Sequence, residues 1–400
     1  MWRLGFFFHE IAFGLLSVFL PLYIVYLSGS LLWVGVMSAT AILLSIPASF
    51  FWGYMCDRTR HYKIYILMSF SVLATLLYLF SIVNNATTLV ILYSVMALFH
   101  VAHEPPKNVL VAELYSHEEW KKVFASYECF TEIGWLIGLV LGVLTSSLGF
   151  NVRSTLLLCS GLNIAAFFAA FFFVEDPIII FERSLVSIEK AVSFAYKGVS
   201  IFSRVIDGVS PNERLRGENL GIFCLGLAFF SFATSLLFTP MPIFISNLAA
   251  AATLPSSIVF AIFVINSSGG VIGYFFAGKS FESKTENVNI GRIVLFRGIL
   301  TFLLILTTQP PFYNVTIAII AIILFMLGFA YAIYLINALY LSMELIPKGK
   351  AGLFDVLVGI GSASGAFIGP FIAQTFGFVY VFLTAGLLFL FAYLAFKLFI

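Results

Sequence analysis

The feature that most constrains this chain is a rhythm. Apolar runs of about 20 residues, the length a helix needs to cross a bilayer, recur from one end of its 400 residues to the other. In hydrocarbon a backbone must satisfy its own hydrogen bonds, so each such run can cross only as a helix or as part of a closed barrel. A water-soluble fold has no place for them, because part of any globule faces water. Only 10% of the residues are charged, against about 25% in soluble domains, and the mean hydropathy is +1.07. The runs fall near residues 5–27, 31–55, 63–83, 88–112, 122–146 and 152–174, and again near 219–246, 254–277, 291–308, 313–338, 351–375 and 377–399. The pattern predicts an all-α integral membrane protein with about twelve transmembrane helices. The first run carries His9 and Glu10 and lacks a small-residue cleavage site, so it reads as a span rather than a signal peptide.

Positive charge orients the spans, since Lys and Arg of short loops stay on the cytoplasmic side. Alternate loops hold Arg58, Arg60 and Lys63, then Lys121 and Lys122, then Lys279 and Lys284, then Lys348 and Lys350. The intervening loops have Arg153 alone. Both termini are therefore expected in the cytoplasm of a cell-membrane protein. The net charge of +2 gives no reason to expect a nucleic-acid partner. Cys56, Cys129, Cys159 and Cys224 are far apart, which argues against a disulfide framework or a thiolate metal site.

One long polar stretch divides the chain. Within it Phe181, Leu185, Ile188, Val192, Ala195, Val199, Phe202 and Ile206 step by four and three, the stripe of an amphipathic helix too charged to span. The expected organisation is a six-helix bundle over 1–175, a cytoplasmic amphipathic linker over 176–217 and a second six-helix bundle over 218–400. The halves resemble each other. Glu113-Leu114 matches Glu344-Leu345, Gly134 and Gly138 match Gly365 and Gly369, Gly149-Phe150 matches Gly377-Phe378, and Gly53-Tyr54 matches Gly273-Tyr274. Matches in the same order and at the same depth point to a 6+6 duplication. The glycine stripes on the fifth and eleventh spans suit close helix crossings.

The loop after the second span runs from Gly53 through Asp57, Arg58 and Arg60 to Lys63, with Gly53, Asp57 and Arg58 at the spacing of G-x-x-x-D-R in G-x-x-x-D-R-x-G-R-[RK]. It resembles the loop signature of the major facilitator superfamily, with Arg60 where that family has its second glycine. The resemblance implies two pseudo-symmetric six-helix bundles rocking about a central site, with Gly53, Asp57 and Arg58 as a gating loop. The family's antiporters carry Gly-Pro on the fifth span; Leu139 stands where that proline would be.

Ionisable groups inside a membrane normally face a cavity or a partner. Here they gather in the first half: Glu10 beside His9, then His100, His103, Glu104 and Lys107 on the fourth span, then Glu128 and Glu132 on the fifth. His100, Glu104 and Lys107 share one helix face, as do Glu128, Glu132 and Trp135. Counting outward from the loop that joins these spans pairs Lys107 with Glu128. It leaves Glu132 deeper and less compensated, a carboxyl suited to taking and releasing a proton. His9 is expected nearer the interface. Pro105-Pro106 should kink the fourth span beside the cluster. In the second half only Asp355 and the amides Asn266 and Asn337 stand out, with Tyr331, Tyr334 and Tyr340 making an aromatic counterface. Trp135, Asn266, Tyr331, Tyr334 and Asn337 are the expected cavity lining.

These residues lead to the expectation of a monomeric secondary transporter, not an enzyme. It would move a small organic solute by alternating access with proton coupling. An acidic half facing an aromatic half favours export of amphipathic or cationic compounds, because rings attract cations. The alternatives are uptake of a nutrient such as a sugar or organic acid, and transport of a divalent metal through His100, His103 and Glu104. No cofactor is expected.

Overall fold

The structure, a computed structural model, describes residues 3–107, 120–176, 214–280, 290–308, 312–345 and 352–399. The expected amphipathic linker lies outside the described residues, apart from its ends. Among the described residues the α-helices with described bounds are, in chain order, α1 Leu4–Ser28, α2 Leu32–Thr59, α3 Tyr62–Phe80, α4 Ala86–His100, α5 Trp120–Ser147, α6 Val152–Phe173, α7 Arg214–Phe238, α8 Met241–Ala251, α9 Ser257–Ser280, α10 Ile290–Leu303, α11 Tyr313–Leu345, α12 Gly352–Thr375 and α13 Phe378–Phe399. Among the described residues twelve helical segments are long and apolar enough to cross a membrane, α7 and α8 counting together as the seventh.

Local chemistry sets the breaks. Asn85 and Asn151 cap α4 and α6 by accepting from the backbone N–H groups of Thr87 and Ser154, each at 2.8 Å. Gly149 and Gly377 turn the chain before the sixth and twelfth spans with φ of 70° and 93°. The repeat-related Gly-Phe pairs of the sequence thus share one left-handed turn. Arg60 ends α2 with φ of 58°, in the same left-handed region. This explains why the family signature has a glycine there: the position needs a backbone conformation that costs a side chain energy. The α-helix of the fourth span gives way to a 3-10 turn at Val101–His103, directly before Pro105-Pro106, whose missing N–H groups leave carbonyls in that turn without helical donors.

Packing repeats across the halves. α1 lies along α5, where a Cβ at Gly138 would collide with the Ile11 carbonyl. α7 lies along α12, where a Cβ at Gly369 would collide with the Leu236 carbonyl. The glycine stripes on the fifth and eleventh spans are thus the close crossings their spacing predicts. Two further pairings join the first six helices to the rest: α2 along α12, and α5 along α9. At one end both pairings are closed by hydrogen bonds. Gln374 Oε1 accepts from the Ser30 hydroxyl and the Leu32 N–H, each at 2.8 Å, and the hydroxyls of Ser146 and Ser256 lie 2.9 Å apart. Toward the opposite end of α2, Phe50, Phe51 and Tyr54 are exposed, and among the described residues the space a Cβ at Gly53 would take is open.

Candidate functional site

A cavity of about 190 Å³ opens between α5 of the first six helices and α7, α9, α10 and α11. Its walls carry Glu132, Thr234, Asn266, Tyr274, Arg297 and Tyr331. Glu132 is held from across the junction: the Ser267 hydroxyl on α9 donates to its Oε1 at 2.5 Å. Asn266, one residue earlier, donates through Nδ2 to the Leu324 carbonyl at 2.6 Å, fixing its orientation on the wall.

Arg297 is the feature that sequence reasoning missed. The second half was expected to be almost free of membrane-embedded charge, and that expectation is wrong. Arg297 sits inside the ninth span, is 0% exposed and borders the cavity. Its signal in the sequence is a lone arginine in the middle of an apolar run. The guanidinium stands over the rings of Phe230, Tyr331 and Phe389 at 5.0, 5.3 and 5.3 Å from their centroids. These faces stabilise a desolvated cation. Nη1 donates to the Leu327 carbonyl at 3.0 Å. Nε and Nη2 are buried without a hydrogen-bond partner among the described residues, and so is Thr234 Oγ1. A buried donor left unpaired costs about 1–3 kcal/mol, more when it is charged. Three such donors at one cavity mark the place of an acceptor.

The other expected lining residues lie elsewhere. Tyr334 is buried with its ring stacked on Phe230 at 3.4 Å between centroids, supporting the ring that covers Arg297. Asn337 is buried and donates to the Ile333 carbonyl on its own helix. The Trp135 backbone meets α1 at Gly14.

A second polar group fills the interior of the first six helices. Lys107 is buried and makes its ion pair with Glu104, one turn back on the same segment, with its ammonium 5.2 Å from the Tyr127 ring centre. The expected Lys107–Glu128 pair is therefore replaced by a local one, which the i,i+3 geometry favours. Glu10 is half-buried on α1 and its Cβ lies against Gly134 of α5. His9 is 0% exposed, and its Nδ1 lies 2.9 Å from Asn163 Oδ1. It packs with His100 and His103, the ring centroids 4.9–5.1 Å apart. In the loop signature, Arg58 is exposed on the last turn of α2. The side chains of Asp57, Tyr340 and Asp355 lie outside the described residues.

A polytopic helical membrane protein with a polar cavity between its two sets of spans is the class these features define. Residues 4–354 match the sequence model of the Major Facilitator Superfamily. The chain belongs to that family, and secondary transport is its general activity. The fold is similar to that of the human organic anion transporter MFSD10 (TETRAN), at 15% identity, with 99% of this chain and 97% of that one covered and a TM-score of 0.72. It is also similar to the nucleoside transporter NupG, at 13% identity, with 100% and 98% covered and a TM-score of 0.67. No curated protein sequence matches this chain.

Proposed function

We propose that this protein carries a small organic anion across the cell membrane by alternating access, together with a proton taken up by Glu132. The observation that carries this reading is Arg297, buried at the cavity with two unpaired N–H groups. A carboxylate or phosphate fits that fork, because a guanidinium offers two parallel charge-assisted hydrogen bonds. The volume of about 190 Å³ suits a small solute rather than a drug-sized one. Export of amphipathic or cationic compounds rests on an acidic half facing an aromatic half, and Arg297 adds a buried cation to that aromatic face. The likeness to an organic anion transporter points the same way.

The coupling follows from charge. Glu128 and Glu10 are the nearest further acids, on the same helix and on α1, and Tyr274 and Tyr331 face Glu132 from α9 and α11. None of these neighbours is cationic. As a carboxylate, Glu132 competes with the solute for the field of Arg297; as a neutral acid it leaves that field to the solute. Proton and anion therefore bind together, and by linkage each favours the other. That is cotransport, and an inward proton gradient drives uptake. Glu104 and Glu10 stand behind the site as further acids. The loop bias in Lys and Arg supports an orientation with both termini, and the Arg58 end of α2, on the cytoplasmic side.

The test uses proteoliposomes with an imposed pH gradient and a panel of small carboxylates, phosphate esters, neutral sugars and amines. An anion should accumulate and collapse the gradient. Glu132→Gln should keep exchange of that anion down its own gradient but lose uphill accumulation. If only neutral or cationic solutes move protons, the anion reading is wrong.

A further inference from the structure

We propose that His9, His100 and His103 form a binding site for one divalent transition-metal ion of the zinc class, in the interior of the first six helices and away from the anion cavity. One ring nitrogen from each lies within 4.8 Å of the others. Two of the three side chains are fully shielded, His9 at 0% and His103 at 1% exposed. Around them Phe6, Phe13 and Phe70 close a box of rings, with centroids 4.4–5.7 Å from the imidazoles. Ring faces are poor hydrogen-bonding partners, so each shielded imidazole nitrogen depends on the few polar groups within the cluster.

The hydrogen bonds show which nitrogens are free. Asn163 Nδ2 donates to the Cys159 carbonyl at 3.0 Å, so its Oδ1 is the atom turned to His9. An amide oxygen only accepts, hence His9 Nδ1 carries the proton and Nε2 presents a lone pair. That Nε2 is buried without a partner among the described residues, and so is Nδ1 of His100. His103 has a partner at each nitrogen, the Ser69 hydroxyl 3.3 Å from Nδ1 and Glu104 Oε1 3.4 Å from Nε2, so it would exchange one of these contacts for the metal, while Glu104 Oε2 is the atom engaged by Lys107. One face of the cluster thus offers imidazole nitrogens, and Glu104 Oε1 lies beside it as an anionic fourth ligand.

Three neutral imidazoles and one carboxylate are a donor set for a tetrahedral ion such as zinc. Bonds of 2.0–2.1 Å would bring the ligand nitrogens to about 3.3 Å apart, a contraction within reach of side-chain torsions. Asn163 is a positioning residue: a ligating histidine almost always donates its other N–H to an oxygen that fixes its tautomer and orientation. A resident ion there would join α1, the fourth span and, through Asn163, α6.

The experiment uses full-length protein purified on a tag without histidine, stripped of metal and titrated with cobalt(II). The expected result is one equivalent bound with the visible spectrum of a tetrahedral ion, displaced by zinc. His9→Gln and His100→Gln should each abolish the spectrum, His61→Gln should keep it, and Asn163→Ala should weaken binding about 10–100-fold. No stoichiometric binding to the wild type overturns the proposal without any variant. A spectrum that survives His9→Gln and His100→Gln places the metal elsewhere and overturns it as well. Neither readout involves transport, so the site stands or falls apart from the anion reading.

Discussion

The hydroxyl of Ser267 lies 2.5 Å from Oε1 of Glu132, tying α9 to α5 through the carboxylate proposed to carry the proton. A hydrogen bond to a charged group contributes about 1.5–3 kcal/mol. Ser267→Ala should therefore shift the balance toward states in which α5 and α9 separate by roughly tenfold or more. Spin-label distances between the two helices report that balance. An unchanged distance distribution would mean that glycine-lined packing alone holds the junction.

Arg297 stands over four rings, and among the described residues no ion pair to a carboxylate forms at it. Lysine keeps the charge but loses the planar fork and the stacking. Arg297→Lys should raise the KM for the anion by roughly 10–100-fold, the value of one charged hydrogen bond. Arg297→Met should fold and fail to bind, since removing a desolvated charge together with its cost leaves an apolar contact among rings. Binding measured by isothermal titration separates this from a loss of turnover.

The hydroxyls of Ser146 and Ser256 touch across the junction. A Ser146→Cys, Ser256→Cys pair lies where a disulfide can form. Oxidation should halt transport and reduction should restore it. Continued turnover in the cross-linked protein would show that this end does not open.

Arg60 holds a left-handed backbone that costs an L-residue about 1–2 kcal/mol. Arg60→Gly relieves the strain, partly offset by the freer unfolded chain of glycine. Thermal unfolding in detergent should show a small net gain in stability, up to about 1 kcal/mol.

The twelve spans were legible because hydrocarbon imposes a length, and each apolar run meets it. The seventh held one surprise, a break at Thr239-Pro240 between α7 and α8, where proline ends one helix and opens the next. The glycine crossings were legible because small residues at helical spacing have one dominant use. Side-chain partners were not. Lys107 had two acids in reach, and only the path of the fourth span beside Pro105-Pro106 decides for Glu104. The partner of His9 is Asn163, 154 residues away, which no spacing along one span reveals. Arg297 was masked by its neighbours: an apolar run reads the same whether its single arginine faces lipid, a partner or a cavity.

The closure made by Ser30, Gln374, Ser146 and Ser256 contains hydroxyls, an amide and a backbone N–H, and no ionised group. Water can replace each of these bonds nearly in kind. Opening at that end therefore moves no fixed charge of its own through the membrane field and has little for salt to screen. Ionic strength and voltage should leave that step almost untouched, so any dependence of the transport cycle on them arises from the carried ions and the cavity that receives them.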